Sequence, residues 1–236
     1  MIVYGRNPVR EALRGPRRVE RVWATKNASR LPWLTNPGVR VDVASAEELE
    51  QRCGAPSHQG ICASVEPFRY ADPQQLLAQP SPLIVALDQV QDPQNLGSIC
   101  RTAECAGAAG VVLPERRSAV VTAAVCKASA GAVEHIAVAR VRNLVDFLAD
   151  AKLAGLWCYG ADADAATSYE LVDYSGGAVL LFGSEGRGLR RRVAASCDLL
   201  VSLPTLGRID SLSVTAAAAV LMYSARSGRP SLDRRG

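Results

Sequence analysis

The chain has 236 residues, 48% hydrophobic and 21% charged, a balance typical of globular proteins and a length suited to one large domain or two modest ones. No apolar run reaches the roughly 18 to 20 residues of a bilayer-spanning helix, so neither a membrane protein nor a disordered chain is expected. The formal net charge is only +4, yet three of the 27 basic residues are lysines (Lys26, Lys127 and Lys152) and the remaining 24 are arginines, whose planar fork suits phosphate and base contacts.

Residues 1–30 concentrate that charge, with Arg6, Arg10, Arg14, Arg17, Arg18, Arg21, Lys26 and Arg30 against Glu11 and Glu20. This is a pattern expected where a phosphate backbone is held, and equally that of a solvated basic surface. A helix is predicted over 9–14, with Asn7 as N-cap, Pro8 in the first turn and Gly15-Pro16 as the stop. A strand follows over 19–24. Val39, Val41 and Val43 alternate with polar residues, and Ser45 with Glu48 three places later makes a capping box for a helix to about residue 53. Another strand is expected over 60–65, completing a small α/β unit.

Residues 67–82 hold Pro67, Pro73, Pro80 and Pro82 with little apolar periodicity and read as a linker. From residue 83 the pattern becomes repeated strand and helix. Strands are expected at 83–87, 110–113, 136–141, 156–159, 178–182 and 199–203, and helices at 95–106, 122–130, 143–153 and 211–226. Short apolar strands alternating with amphipathic helices indicate a mostly parallel sheet covered on both faces. Asp162, Asp164, Glu170 and Asp173 read as a solvated loop, and 227–236 as a polar, frayed end.

Three blocks carry chemistry. In the first, Asp92-Pro93 fixes a turn, Asn95 is a cap for the following helix, and Arg101 lies six residues on. The second, Gly183-Ser184-Glu185-Gly186-Arg187-Gly188, follows a buried strand, where α/β sheets place ligands. It lacks the Lys-Ser/Thr of a P-loop and the Gly-x-Gly-x-x-Gly order of a dinucleotide fold, and it delivers the carboxylate of Glu185. Arg187, Arg190, Arg191 and Arg192 make a cationic edge beside it. The third runs from Leu203-Pro204 to Ser211-Leu212-Ser213 before the last helix. His58 and His135 pair with no nucleophile. The seven cysteines are scattered without a Cys-x-x-Cys pair and read as reduced thiols. Cys53, His58 and Cys62 lack a fourth ligand at finger spacing, so no metal is expected. The first residues show no secretory signal pattern, which places the protein in the cytoplasm.

Over about residues 82–226 these blocks resemble the three motifs of the SpoU (TrmH-like) ribose 2′-O-methyltransferases. The resemblance implies a C-terminal SPOUT domain at 83–228, α/β with a mostly parallel sheet and a deep trefoil knot, followed by a flexible tail at 229–236. Tyr4-Gly5-Arg6-Asn7-Pro8-Val9 is similar to the start of the L30e-like α/β RNA-binding domain found ahead of the catalytic domain in several members, here 1–66, with 67–82 as linker. It implies S-adenosyl-L-methionine as donor, contacted by the main chain at Gly183, Leu203 and Leu212. Asn95, Arg101 and Glu185 then belong to the active site, with Arg101 engaging the target ribose or its phosphate. Ser213 departs from the family pattern, which has asparagine there; with a water, the hydroxyl is expected to replace it. The implied activity is methylation of a ribose 2′-hydroxyl in RNA, most like the enzyme that modifies a guanosine of large-subunit rRNA. A tRNA target, an antibiotic-resistance rRNA site, or a protein that binds RNA and donor with little turnover stay open. A homodimer is implied; DNA is not an expected partner.

Overall fold

The computed structural model describes residues 1–35, 38–209 and 211–227; the expected tail at 229–236 lies outside them. The first elements are β1 (Ile2–Tyr4), α1 (Arg6–Arg14), β2 (Val19–Ala24), β3 (Val41–Val43), α2 (Ala46–Cys53) and β4 (Ile61–Val65). They form a four-stranded sheet in the order β1-β4-β2-β3, with β4 antiparallel to both neighbours and β3 parallel to β2. The capping box of α2 forms as expected from Ser45 and Glu48, and Gly54 ends the helix in the left-handed region. Helix α1 differs from its expectation: Asn7 sits inside the helix, and Gly5 (φ 97) precedes it with no side-chain cap. The Arg6 N–H instead donates to Gln59 Oε1 at 2.9 Å. An acceptor from another loop thus meets one of the first-turn donors that a helix leaves unpaired.

Residues read as linker carry α3 (Pro73–Leu77), capped by Asp72, whose Leu76 and Leu77 are buried. Ala71 N donates to Val138 O at 2.8 Å, and a side chain on Gly110 would collide with Leu76. The proline-rich stretch is therefore docked along the second sheet.

That sheet is built from β5 (Leu83–Leu87), α4 (Pro93–Cys105), β6 (Gly110–Pro114), α5 (Ala123–Ala128), β7 (Ala137–Val141), α6 (Leu144–Leu153), β8 (Trp157–Ala161), β9 (Thr167–Ser168), β10 (Ala178–Phe182), α7 (Arg191–Ala194), β11 (Leu199–Ser202) and α8 (Val214–Ser227). The order is β7-β6-β5-β10-β8-β11-β9, and every pairing is parallel. The two-residue β9 lies in the stretch expected to be a solvated loop. Central strands β5 and β10 are buried at all five positions, as a sheet covered on both faces requires. Leu83, Val85, Leu87, Leu180 and Phe182 face a core layer shared with α4, α5 and α8. Ile84, Ala86, Val179 and Leu181 face the opposite layer with α3, α6 and α7. From β5 the chain builds outward to β6 and β7, then returns to fill the other side from β10. A crevice thus opens at the carboxyl ends of β5 and β10, where open α/β sheets bind ligands.

The two sheets share one core. Val3, Val9 and Ile61 belong to the same buried cluster as Val125 and Val133. Across this junction the buried Arg17 donates through Nε to Glu134 Oε2 at 2.8 Å, pairs through Nη2 with Glu134 Oε1, and donates through Nη1 to Glu66 O at 2.9 Å. Its guanidinium stacks over Phe68, 5.4 Å from the ring centroid. His135 Nε2 lies 3.0 Å from Glu11 Oε2 on the same junction.

Half of the basic residues of the N-terminal segment are thereby paired with acids. Arg10 and Arg14 pair with Glu11, Arg17 with Glu134 and Arg21 with Asp42. Two of those acids come from outside residues 1–30, which is why the local charge balance overstates the free charge. His58 is buried and accepts from Gly60 N at 3.0 Å.

Candidate active site

A cleft of about 460 Å³ lies at the carboxyl ends of β5 and β10, lined by Gln89, Val90, Gln91, Asp92 and Asn95 on one wall, Ser184, Glu185 and Arg187 on the other, and Val214 at the start of α8. The first wall is set by the entry to α4. Asp92 is the N-cap, its Oδ1 accepting from Gln94 N at 2.9 Å, and Pro93 takes the first turn, where a missing N–H costs nothing. The expectation that Asn95 caps this helix is therefore corrected: Asn95 sits inside the first turn, and its carboxamide is free of capping duty and borders the cleft.

The second wall is a folded-back loop. Gly188 N donates to Ser184 O at 2.9 Å, and the two residues form an antiparallel bridge. A Cβ on Gly183 would overlap the backbone of Gly188 and Leu189, so only glycine permits this crossing. Gly186 and Gly188 have φ of +75° and +62°, which places Glu185 and Arg187 on an exposed tip. Asp88, 1% exposed at the end of β5, holds the base of the loop. Its carboxylate accepts from Arg190 N and Arg190 Nε, both at 2.8 Å, while Asp88 N donates to Phe182 O at 2.7 Å. One buried carboxylate thus ties β5, β10 and the glycine loop together.

Of the residues singled out in the sequence, Asn95 and Glu185 share this cleft, and Ser213 adjoins it through Val214. Ser213 Oγ accepts from Ala216 N at 3.3 Å and lies 3.0 Å from Thr215 Oγ1, which is N-cap geometry. Gly183 is buried under the loop, Leu203 is half-buried at the end of β11, and Leu212 is exposed beside Ser213. These three do not line the cleft. Arg101 does not either. Six residues along α4 place it roughly 9 Å further on and turned about 120° from Asn95, and its side chain is exposed.

Two contributors were not picked out from the sequence. Asp88 gave no signal beyond a charge ending an apolar strand, because its partner Arg190 lies 102 residues away. Gly97, between Asn95 and Arg101 in the first block, carries no chemical group to draw notice. Its Cα faces α5 so closely that a Cβ would overlap that of Ala128 and approach Ser129 N to 2.9 Å. Gly97 therefore sets how near α4 packs on α5, and so where Asn95 stands.

A parallel sheet covered on both faces, with a cleft at its carboxyl edge and a smaller sheet joined to it, is a frame that hosts many chemistries, and comparison with known proteins narrows it to an RNA-modifying enzyme. Residues 82–223 match the SpoU rRNA Methylase family, and residues 2–71 match the RNA 2′-O ribose methyltransferase substrate-binding family. The chain belongs to the SpoU family of RNA methyltransferases. It is 37% identical over 232 residues to YacO of Bacillus subtilis (strain 168), named for the TrmH family of tRNA/rRNA methyltransferases, covering 94% of this chain and 93% of that protein. A TrmH-family protein of Staphylococcus haemolyticus (strain JCSC1435) is 34% identical, covering 94% of each. Among solved structures, the AdoMet-bound rRNA methyltransferase from Sinorhizobium meliloti superposes with a TM-score of 0.80 at 27% identity, over 96% of this chain and 86% of that one. AviRb from Streptomyces viridochromogenes, at 23% identity, has the same fold, with a TM-score of 0.80 over 96% and 89%.

Proposed function

We propose that this protein transfers a methyl group from S-adenosyl-L-methionine to a ribose 2′-hydroxyl of RNA, on a guanosine of large-subunit rRNA. The observation that carries this reading is the convergence of Asn95 and Glu185, from two separate family motifs, on one cleft at the carboxyl ends of β5 and β10.

The segment from Leu203 to Leu212 fits the donor. Leu206 is 97% exposed and Ile209 and Leu212 are exposed with it. Among the described residues its main-chain N–H and C=O groups have no hydrogen-bond partner within the chain. Apolar side chains beside free backbone donors and acceptors match an adenine ring and its polar edge. Leu203 and Leu212, with Gly183 at the end of β10, would hold the donor there, and the trefoil knot implied by the family would fold this segment against the glycine loop. When bound, the donor supplies an electrophilic methyl group.

The chain's own residues do the rest. Asn95 and Glu185 orient the acceptor nucleotide from opposite walls, since placement of the reacting groups supplies much of such an acceleration. Arg101, on the exposed face of α4, meets RNA outside the cleft. Its guanidinium stabilises negative charge on the acceptor side rather than acting as a base. Ser213 caps α8 and, through a water, takes the place of the family asparagine.

A homodimer is supported by the exposed Val220 and Tyr223 on α8, which a second copy would cover. Among the described residues no helix is long and apolar enough to cross a membrane, in keeping with action in the cytoplasm. The domain division is 1–66 for RNA binding, 67–82 as the connecting strap and 83–228 for catalysis.

Calorimetry with S-adenosyl-L-methionine, followed by labelled methyl transfer to unmodified large-subunit rRNA and to tRNA, tests the reading. Binding and transfer to rRNA alone are expected. Transfer to tRNA alone would move the substrate, and binding with no transfer to either would leave a binding protein. Ser213→Ala and Ser213→Asn without effect on rate or donor affinity would remove Ser213 from the site.

A further inference from the structure

The loop from residue 115 to 121, between β6 and α5, is fastened at both ends. Glu115 N donates to Val141 O at 2.9 Å, and Arg140 donates to Glu115 O while stacking over Tyr70. At the other end Ala119 N donates to Val90 O at 2.9 Å, Ser118 Oγ donates to the same oxygen at 3.4 Å, and Val121 N donates to Tyr70 Oη at 2.9 Å. Val90 lines the cleft, so the loop is tied to the cleft wall itself. Arg117 stands two residues from the Ala119 amide, within roughly 7 Å of chain.

On this anchored loop Arg116 and Arg117 are both exposed, and among the described residues neither has a carboxylate partner. They share this with other arginines such as Arg101 and Arg187, whereas Arg10, Arg14, Arg17, Arg21, Arg40, Arg69 and Arg190 each pair with an acid; what distinguishes Arg116 and Arg117 is the anchored loop that carries them to the cleft wall. Arg117 also has φ of +57°. A non-glycine residue in the left-handed region costs on the order of 1 kcal/mol and persists where the surroundings enforce it. Here glycine would meet the backbone requirement without that cost, so the guanidinium is what the position retains. Across the cleft Arg187 is exposed on the opposite wall.

We propose that Arg116 and Arg117 bind phosphates of the substrate RNA at the mouth of the cleft, flanking with Arg187 the nucleotide that enters it. Phosphate contacts of this kind fix the register of the strand without reading its bases. This rests on RNA being the substrate.

The test uses the full chain with Arg116→Ala, Arg117→Gly, Arg117→Lys and the Ala/Gly double variant. RNA binding is measured over a salt series with an unmodified transcript of large-subunit rRNA and with tRNA, together with methyl-transfer kinetics and melting. Arg117→Gly is expected to melt no lower than the wild type, since it relieves the left-handed strain. The double variant is expected to raise KM for RNA about tenfold with kcat within about twofold, and to flatten the slope of log affinity against log salt by about 0.7 for each phosphate no longer neutralised. Arg117→Lys should keep the slope that Arg117→Gly loses. Unchanged KM and slope in the double variant, with an active wild type, would overturn the proposal. A fall in kcat at constant KM would also overturn it. A wild type that neither binds nor methylates RNA would instead refute the function on which it rests.

Discussion

Replacing Gly97 by alanine tests the link between helix packing and the cleft. In an isolated helix the change favours the alanine by about 1 kcal/mol, because glycine is the poorer helix former. In this fold the new methyl would overlap Ala128 Cβ and lie 2.9 Å from Ser129 N and 3.0 Å from Val125 O. Carbon atoms pack best at about 3.5 to 4.0 Å, and two of the three obstacles are backbone atoms that cannot rotate aside. Forcing a methyl into a filled space costs about 1 to 3 kcal/mol, occasionally more, and the backbone neighbours place this site at the upper end. The net expectation is a loss of about 1 to 2 kcal/mol, read as a lower urea midpoint at unchanged slope. Ala128→Gly removes the nearest obstacle, so the double variant should recover at least about 0.5 kcal/mol relative to additivity. Asn95 lies two residues before Gly97, so methyl transfer should fall as well. A Gly97→Ala protein as stable as the wild type, or more so, would refute the packing argument.

Three further outcomes follow from the geometry. Asp88→Ala leaves Arg190 without its acceptors at the base of the glycine loop, so donor affinity and methyl transfer should drop at least tenfold while the secondary structure seen by circular dichroism stays intact. Glu134→Gln strands the buried Arg17 charge at the domain junction. It should cost about 3 to 5 kcal/mol in urea unfolding, whereas replacing both partners with apolar residues of similar size should recover most of that. Burial works to raise the Glu11 carboxyl, but hydrogen bonds from Arg10 and His135 and the charges of Arg10 and Arg14 outweigh it and hold its pKa below the ordinary 4.5. A lowered pKa makes the contribution complete above about pH 4.5 and lost as pH falls through the folded-state value. Glu11→Gln should therefore destabilise at pH 7, and the difference in melting temperature from wild type should shrink below pH 4.5.

How much could be read in advance depended on whether the cause was local. The capping box of α2 was legible because Ser45 and Glu48 are three residues apart and satisfy each other. The buried runs of β5 and β10 were legible because a strand covered on both faces must be apolar at every position. The start of α4 was misjudged by two residues, since Asp92-Pro93 outcompetes Asn95 for the cap. Gln59 does the same to Asn7 from across the fold. Helix α3 went unseen because five residues with two apolar positions carry no periodic signal, and only docking on β6 and β7 gives them a core. In the site, Asn95 and Glu185 stood in recognisable blocks. Asp88, Gly97 and the anchored Arg116-Arg117 loop draw their meaning from partners distant in sequence, which no local pattern encodes.

The central claim is the atom that receives the methyl group. The purified protein, labelled S-adenosyl-L-methionine and unmodified large-subunit rRNA would be incubated together and the label mapped by resistance of the adjoining linkage to alkaline cleavage. The account predicts a single alkali-resistant linkage on a guanosine, lost with Glu185→Ala and with Arg101→Ala. Label on a base, with every linkage still cleaved by alkali, would contradict it.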